Sequence, residues 1–175
     1  KDADVMLDSF RPGVLKGMGL DAQTLHAINP KLVIVSITGY GMTNDSDNAQ
    51  IAHDWADKAG HDINFMAMSG VLDQLRTATG EQAMPNIQFA DLAGGSDTAV
   101  IALLSAVFAA QRTGKGRHVA VSMTHSLYNH MVMPKATGEL VKSFSGQNPP
   151  PNYDFLGGLL PCYRLYQTSD KRYIA

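Results

Sequence analysis

Between Pro30 and Gly39 the chain reads Leu32-Val33-Ile34-Val35-Ser36-Ile37, apolar at nearly every position and rich in β-branched side chains. A run without alternation predicts a strand covered on both faces, as in a parallel sheet. Val5-Met6-Leu7 is a shorter run of the same kind. Phe10-Arg11-Pro12-Gly13 then turns the chain, because Pro fixes φ and Gly tolerates positive φ. Val14 to Met18 reads as one helical turn stopped by Gly19. Asp21 is placed to cap a helix over Ala22 to Ile28, which Asn29-Pro30 ends. Helix followed by buried strand is the alternation of an α/β protein.

Gly39-Tyr40-Gly41 opens a loop, and residues 43–60 form a polar surface excursion with one turn of helix expected around Trp55. Ile63 to Leu75 has a helical pattern with Gly70 as its weak point, and Arg76 to Pro85 is a loop. Asp97 to Gln111 is the strongest helix. It is apolar almost all round, so it is expected to be buried, with Gly114 as its C-cap. Val119 to Met123 reads as a second buried strand. Thr124 is expected to cap a helix from His125 to Met133 that Pro134 ends. Residues 143–158, rich in Ser, Gly, Asn and Pro, are the expected linker. Cys162 to Gln167 and Arg172 to Ile174 flank Thr168-Ser169-Asp170-Lys171 as a hairpin. The division is therefore 1–142 for part of a large domain, 143–158 for the linker and 159–175 for the beginning of a small domain. The start at Lys1 and the β-prone end at Ala175 suggest a fragment of a longer protein.

Composition narrows the function classes. Fourteen Lys+Arg against 16 Asp+Glu give a formal net charge of −2, and 45% of residues are hydrophobic. This argues against a disordered chain and against a nucleic-acid binder, which needs a basic face. No uninterrupted apolar run approaches the ~18–20 residues of a membrane span, so no membrane partner is expected. Cys162 is the single cysteine, so no intrachain disulfide forms. His125 and His130 stand at i and i+5, which does not share a helix face, and no metal site is expected. Gly114-Lys115-Gly116-Arg117 lacks phosphate-loop spacing and reads as a helix-to-strand turn.

Two constellations carry candidate chemistry. In Gly60-His61-Asp62-Ile63-Asn64-Phe65, His61 or Asp62 is either a helix cap or, for His61, a general base with a pKa near working pH. In Ala90-Asp91-Leu92-Ala93-Gly94-Gly95, Asp91 is either a structural cap or a functional carboxylate. The glycines allow backbone N–H groups to approach a ligand, and the following helix N-terminus offers donors for an oxyanion.

Taken in order, Ala3-Asp4-Val5-Met6-Leu7-Asp8-Ser9-Phe10-Arg11-Pro12-Gly13, Ser36-Ile37-Thr38-Gly39-Tyr40-Gly41, the His61 and Asp91 segments, Arg112-Thr113-Gly114-Lys115-Gly116 and Val119 to Met123 resemble the family III CoA-transferase superfamily, most of all its α-methylacyl-CoA racemases. The resemblance implies a parallel-stranded, Rossmann-like large α/β domain with the start of a smaller second domain. It implies a racemase that inverts the α-carbon of 2-methylacyl-CoA thioesters, with His61 and Asp91, thirty positions apart, as the two acid/base groups. It also implies coenzyme A contacts at Ser9, Phe10, Arg11, Lys58, Ala59 and Gly60. Coenzyme A is part of the substrate, and no separate cofactor is expected. An interlocked homodimer is implied, in the cytoplasm or, in a eukaryote, the peroxisome or mitochondrion. A further catalytic carboxylate is expected just past Ala175. Two alternatives stand beside this reading. One is a class III CoA-transferase with Asp91 as nucleophile, and the other is a non-catalytic α/β module.

Overall fold

The computed structural model describes residues 2–42, 54–77, 79–149 and 154–175. The chain forms two compact units, one of residues 1–69 and 87–127, the other of residues 70–86 and 128–175.

The first unit is built on a parallel sheet of β1 (Val5–Asp8), β2 (Val33–Thr38) and β3 (His118–Ser122), with β2 in the middle. The α/β class expected from the sequence is the class observed. Helices α1 (Val14–Gly17) and α2 (Ala22–Ile28) connect β1 to β2. Asp21 caps α2 as predicted, its carboxylate accepting the Thr24 N–H at 3.1 Å. Next come α3 (Asp62–Ser69), then in the second unit α4 (Val71–Gln74). The predicted helix from Ile63 to Leu75 is thus two helices, broken where Gly70 takes φ 82°, a left-handed conformation that does not continue an α-helix.

A wide π-type turn over Ala90–Asp97 runs without a break into α5 (Thr98–Thr113), which Gly114 ends at φ 72° as expected. Gly116 follows so closely under β2 that a Cβ there would lie 1.9 Å from the Leu32 carbonyl oxygen, so this turn admits only glycine at 116. One face of the sheet, with Val33, Val35 and Val121, packs on Ala99, Ala106 and Ala110 of α5. These small side chains let the helix lie close to the strands. The expectation of a helix buried all round is overturned: Val100, Ile101, Leu104 and Phe108 are 54–67% exposed. Within the first unit the sheet covers only one face of α5. The continuous helix Ala90–Thr113 has 24 residues and a mean hydropathy of 1.6, so by length and composition it is long enough to cross a membrane. The sequence conceals this, because Asp91, the glycine pair, Ser96 and Asp97 interrupt its apolar run.

The first unit ends in α6 (Met123–Tyr128), apart from its final Tyr128. Its cap is Ser122, whose hydroxyl accepts the His125 N–H, and not Thr124. Thr124 is instead turned to the end of β2, where both its hydroxyl and its N–H donate to the Gly39 carbonyl. In the second unit a short 3-10 turn leads to α7 (Val132–Ser145). Pro134 therefore does not end a helix. It lies in the first turn of α7, where its missing N–H costs no intrahelical bond. The helix continues to Ser145, three residues into the segment expected as linker, and Gly146 closes it at φ 73°. Residues 150–153 of that segment lie outside the described residues. The predicted hairpin is present as β4 (Tyr166–Gln167) and β5 (Tyr173–Ile174), antiparallel and shorter than expected.

Candidate active site

All three parallel strands deliver their C-terminal ends to one place. β1 ends at Asp8 and releases Ser9 to Pro12, β2 ends at Thr38 before Gly39 and Tyr40, and β3 ends at Ser122 before Met123. A cleft of about 310 Å³ opens there, lined by these segments together with Ala56, Lys58, Ala59, Gly60, His61, Phe65 and Asp91. Ligands of open α/β sheets bind in this position, outside the carboxyl ends of the strands. Every site residue expected from the sequence lines the cleft: His61 and Asp91, and Ser9, Phe10, Arg11, Lys58, Ala59 and Gly60. The polar segment 43–53 lies outside the described residues.

The two acid/base candidates stand at two helix starts joined by one carboxylate. His61 immediately precedes α3, and its carbonyl accepts the N–H groups of Asn64 at 2.9 Å and Phe65 at 3.3 Å. The Asn64 side chain reaches back to accept the His61 N–H at 3.0 Å. The helix start is therefore satisfied by backbone and Asn64, and the His61 imidazole is not its cap. Asp62 is a cap, but of a different helix. Its Oδ1 accepts the N–H groups of Ala90 at 2.7 Å and Asp91 at 3.0 Å. This seats Asp91 in the first turn of the π segment, beside His61.

That arrangement corrects the expectation of a helix N-terminus near Gly95. The helix already runs through Gly95, and the first amides, those of Ala90 and Asp91, are taken by Asp62, so no oxyanion donor arises there. The glycine pair also serves a different contact from the one expected. A Cβ on Gly94 would lie 2.5 Å from the Met123 carbonyl oxygen, and one on Gly95 3.1 Å from Met123 Cγ. The glycines let the wide turn pack against the end of β3. Ser96 and Thr98 donate their hydroxyls to the carbonyls of Asp91 at 3.0 Å and Ala93 at 2.9 Å, each five residues earlier, within the widened turn.

Electrostatics tune Asp91. Partial burial raises its carboxyl above the ordinary aspartate value, the neighbouring Asp62 charge raises it further, and His61 pulls it down. Two aromatic rings, those of Tyr40 and Phe65, also line the cleft. Tyr40 meets Phe65 edge-on with centroids 5.0 Å apart, and its ring lies 5.4 Å from that of Trp55. A Cβ on Gly60 would stand 2.6 Å from the Phe65 ring, and one on Gly39 2.2 Å, so glycine at both positions makes room for that ring. Sequence reasoning did not assign Tyr40, Phe65 or Met123 to the site. Tyr40 and Phe65 lie inside the quoted segments, and Tyr40 carries a signal, an aromatic between two glycines. Met123 carries none.

Residues 1–175 match CoA-transferase family III. A CaiB/baiF CoA-transferase family protein of Caenorhabditis elegans is 34% identical over 99% of this chain and 47% of its own length. The human α-methylacyl-CoA racemase is 30% identical over 100% of this chain and 42% of its own. The acetyl-CoA:oxalate CoA-transferase of Acetobacter aceti is 31% identical over 99% of this chain and 41% of its own. Among solved structures, a CAIB/BAIF family protein from Brucella suis superposes with a TM-score of 0.74 at 30% identity, covering 98% of this chain and 41% of its own. The chain thus spans less than half the length of these relatives. With the match running over every residue and the same fold in a solved relative, the chain belongs to CoA-transferase family III.

Proposed function

We propose that this chain carries the acid/base centre of a racemase acting on 2-methylacyl-CoA thioesters. The observation that supports this reading most is the meeting of His61 and Asp91 in one cleft, close enough for each other's charge to matter. A proton α to a thioester carbonyl is weakly acidic. One group removes it, leaving an enolate, and the second returns a proton to the opposite face. His61 and Asp91 exchange these roles with direction. Positioned acid/base groups of this kind contribute ~10²–10⁴-fold each. Arg11 and Lys58, at the cleft, are the cations proposed for the phosphates of coenzyme A. The interlocked homodimer belongs to the same proposal.

The test is exchange of the α-proton of a 2-methylacyl-CoA with solvent deuterium by the intact protein. We expect exchange in the parent, and a loss of about 10²-fold or more in His61→Ala and in Asp91→Asn. A folded parent that shows no exchange overturns the reading.

The similarity to an acetyl-CoA:oxalate CoA-transferase supports a second reading, in which the Asp91 carboxylate attacks the thioester carbonyl and expels CoA thiolate, and the thiolate then attacks the aspartyl carbonyl of the mixed anhydride, releasing the acyl group as a carboxylate and leaving CoA on Asp91 as a thioester. Hydroxylamine trapping or mass spectrometry then finds an Asp91 adduct, and His61→Ala has little effect.

A further inference from the structure

Beneath the mouth of the cleft, the three strands each contribute one polar side chain to a continuous hydrogen-bonded chain. Asp8 and Ser36 are register partners, and His118 pairs with Ile34, so all three project on the same face of the sheet. Ser36 Oγ donates to Asp8 Oδ2 at 2.5 Å and lies 2.9 Å from His118 Nε2. A hydroxyl has one proton. Since Ser36 gives it to the carboxylate, it accepts from His118, which must carry its proton on Nε2. The other carboxylate oxygen, Asp8 Oδ1, accepts the N–H of Phe10 at 3.2 Å. Asp8 and Ser36 are buried, whereas Phe10 and Arg11 are exposed and line the cleft. Partial burial lowers the His118 pKa and nearby His26 lowers it further, while Asp8 opposes both.

A buried carboxylate needs donors, and Asp8 finds them in a hydroxyl on one side and a cleft-loop amide on the other. We propose that Asp8 is a positioning residue: held by Ser36 and His118, it fixes the Phe10 amide and so holds the Ser9–Pro12 loop, with Arg11, in the conformation that receives the anionic end of a CoA thioester. This rests on the function proposed above. Asp8 itself touches no reacting atom, so its removal acts on ligand capture more than on proton transfer.

The experiment compares Asp8→Ala, His118→Gln and His118→Leu with the parent, all in the full chain. It measures hydrogen exchange at the Phe10 amide, affinity for free coenzyme A, and KM and kcat for α-proton exchange. In Asp8→Ala we expect Phe10 exchange about tenfold faster, and coenzyme A Kd and KM both about tenfold higher, with a smaller change in kcat, as loss of one hydrogen bond to a charged acceptor implies. His118→Gln keeps an N–H directed at Ser36 and retains the parent values, whereas His118→Leu shifts them in the Asp8→Ala direction. Should Asp8→Ala fail to fold, Ser36→Ala carries the same prediction with a smaller amplitude. Parent-like Phe10 exchange or parent-like coenzyme A affinity in a folded Asp8→Ala overturns the positioning role alone. A folded parent that neither binds coenzyme A nor exchanges the α-proton overturns the functional reading, and with it the ligand assigned to the loop.

Discussion

At the scale of single residues, the site depends on a carboxylate that does no proton transfer. Asp62 accepts the amides of Ala90 and Asp91 and adds its charge to the burial that already raises the Asp91 pKa. The sign follows directly. In the proposed racemase Asp91 removes a proton only when ionised, so a raised pKa shifts the acid limb of the rate profile to higher pH than an ordinary aspartate gives. Asp62→Asn keeps an acceptor for the amides but removes the charge. The acid limb of kcat/KM is then expected to move to lower pH, with burial still holding it above the model-peptide value. A limb that stays in place or moves upward shows that the Asp62 charge does not reach Asp91. Asp62 also shows what local reading misses. The sequence offers it as a cap of its own helix, whereas its partners stand 28 and 29 positions later, a distance that only the tertiary fold closes.

At the scale of elements, β2, α2 with its Asp21 cap, the turn at Gly114–Gly116 and the hairpin were all legible, because each is dictated by neighbouring residues: β-branching, a side-chain acceptor, or a positive φ. The failures share a different origin. Thr124 and Pro134 have the local pattern of start and stop signals. Yet Thr124 is claimed by the Gly39 carbonyl, and Pro134 is compatible with the first turn of α7. The π segment has no periodic signature, and its glycines lie where a Cβ would crowd Met123, a contact distant in sequence. A test follows from that contact. Gly94→Ala places a methyl against a backbone oxygen, which cannot rotate away, so we expect a loss of about 1–3 kcal/mol in chemical denaturation despite the better helix propensity of Ala. Because Asp91 lies one turn earlier, α-proton exchange should fall as well. An unchanged denaturation midpoint removes the close approach as a constraint.

At the scale of the whole molecule, the eight residues expected at the site were found lining one cleft, although they come from three separate stretches of chain. Resemblance to a family grouped them, and the parallel sheet explains the grouping, since strands that run in the same direction deliver their exits to the same edge. The surroundings of α5 were not legible. A helix apolar on every side reads as buried, but the first unit covers one face only, and Val100, Ile101, Leu104 and Phe108 face outward. A contiguous apolar surface of this kind binds hydrophobic dyes and promotes association. Residues 1–175 prepared alone are expected to enhance the fluorescence of anilinonaphthalene sulfonate, and Ile101→Glu with Leu104→Glu should suppress that signal. Equal dye binding by parent and variant shifts the exposed surface to some other part of the chain.

The polar triple of Asp8, Ser36 and His118 has one more consequence, for how the strands find their alignment. Each member sits on a different strand, so their bonds close in a single arrangement only. If one strand slides by one position, Ser36 or Asp8 is driven into the aliphatic layer beside Val33 and Val35, and a slide of two separates hydroxyl from carboxylate. Aliphatic side chains tolerate many offsets, whereas this trio rejects all but one. The sheet thereby carries its own proofreading mark, written in the buried Asp8 and Ser36, whose polar atoms greasy neighbours cannot satisfy.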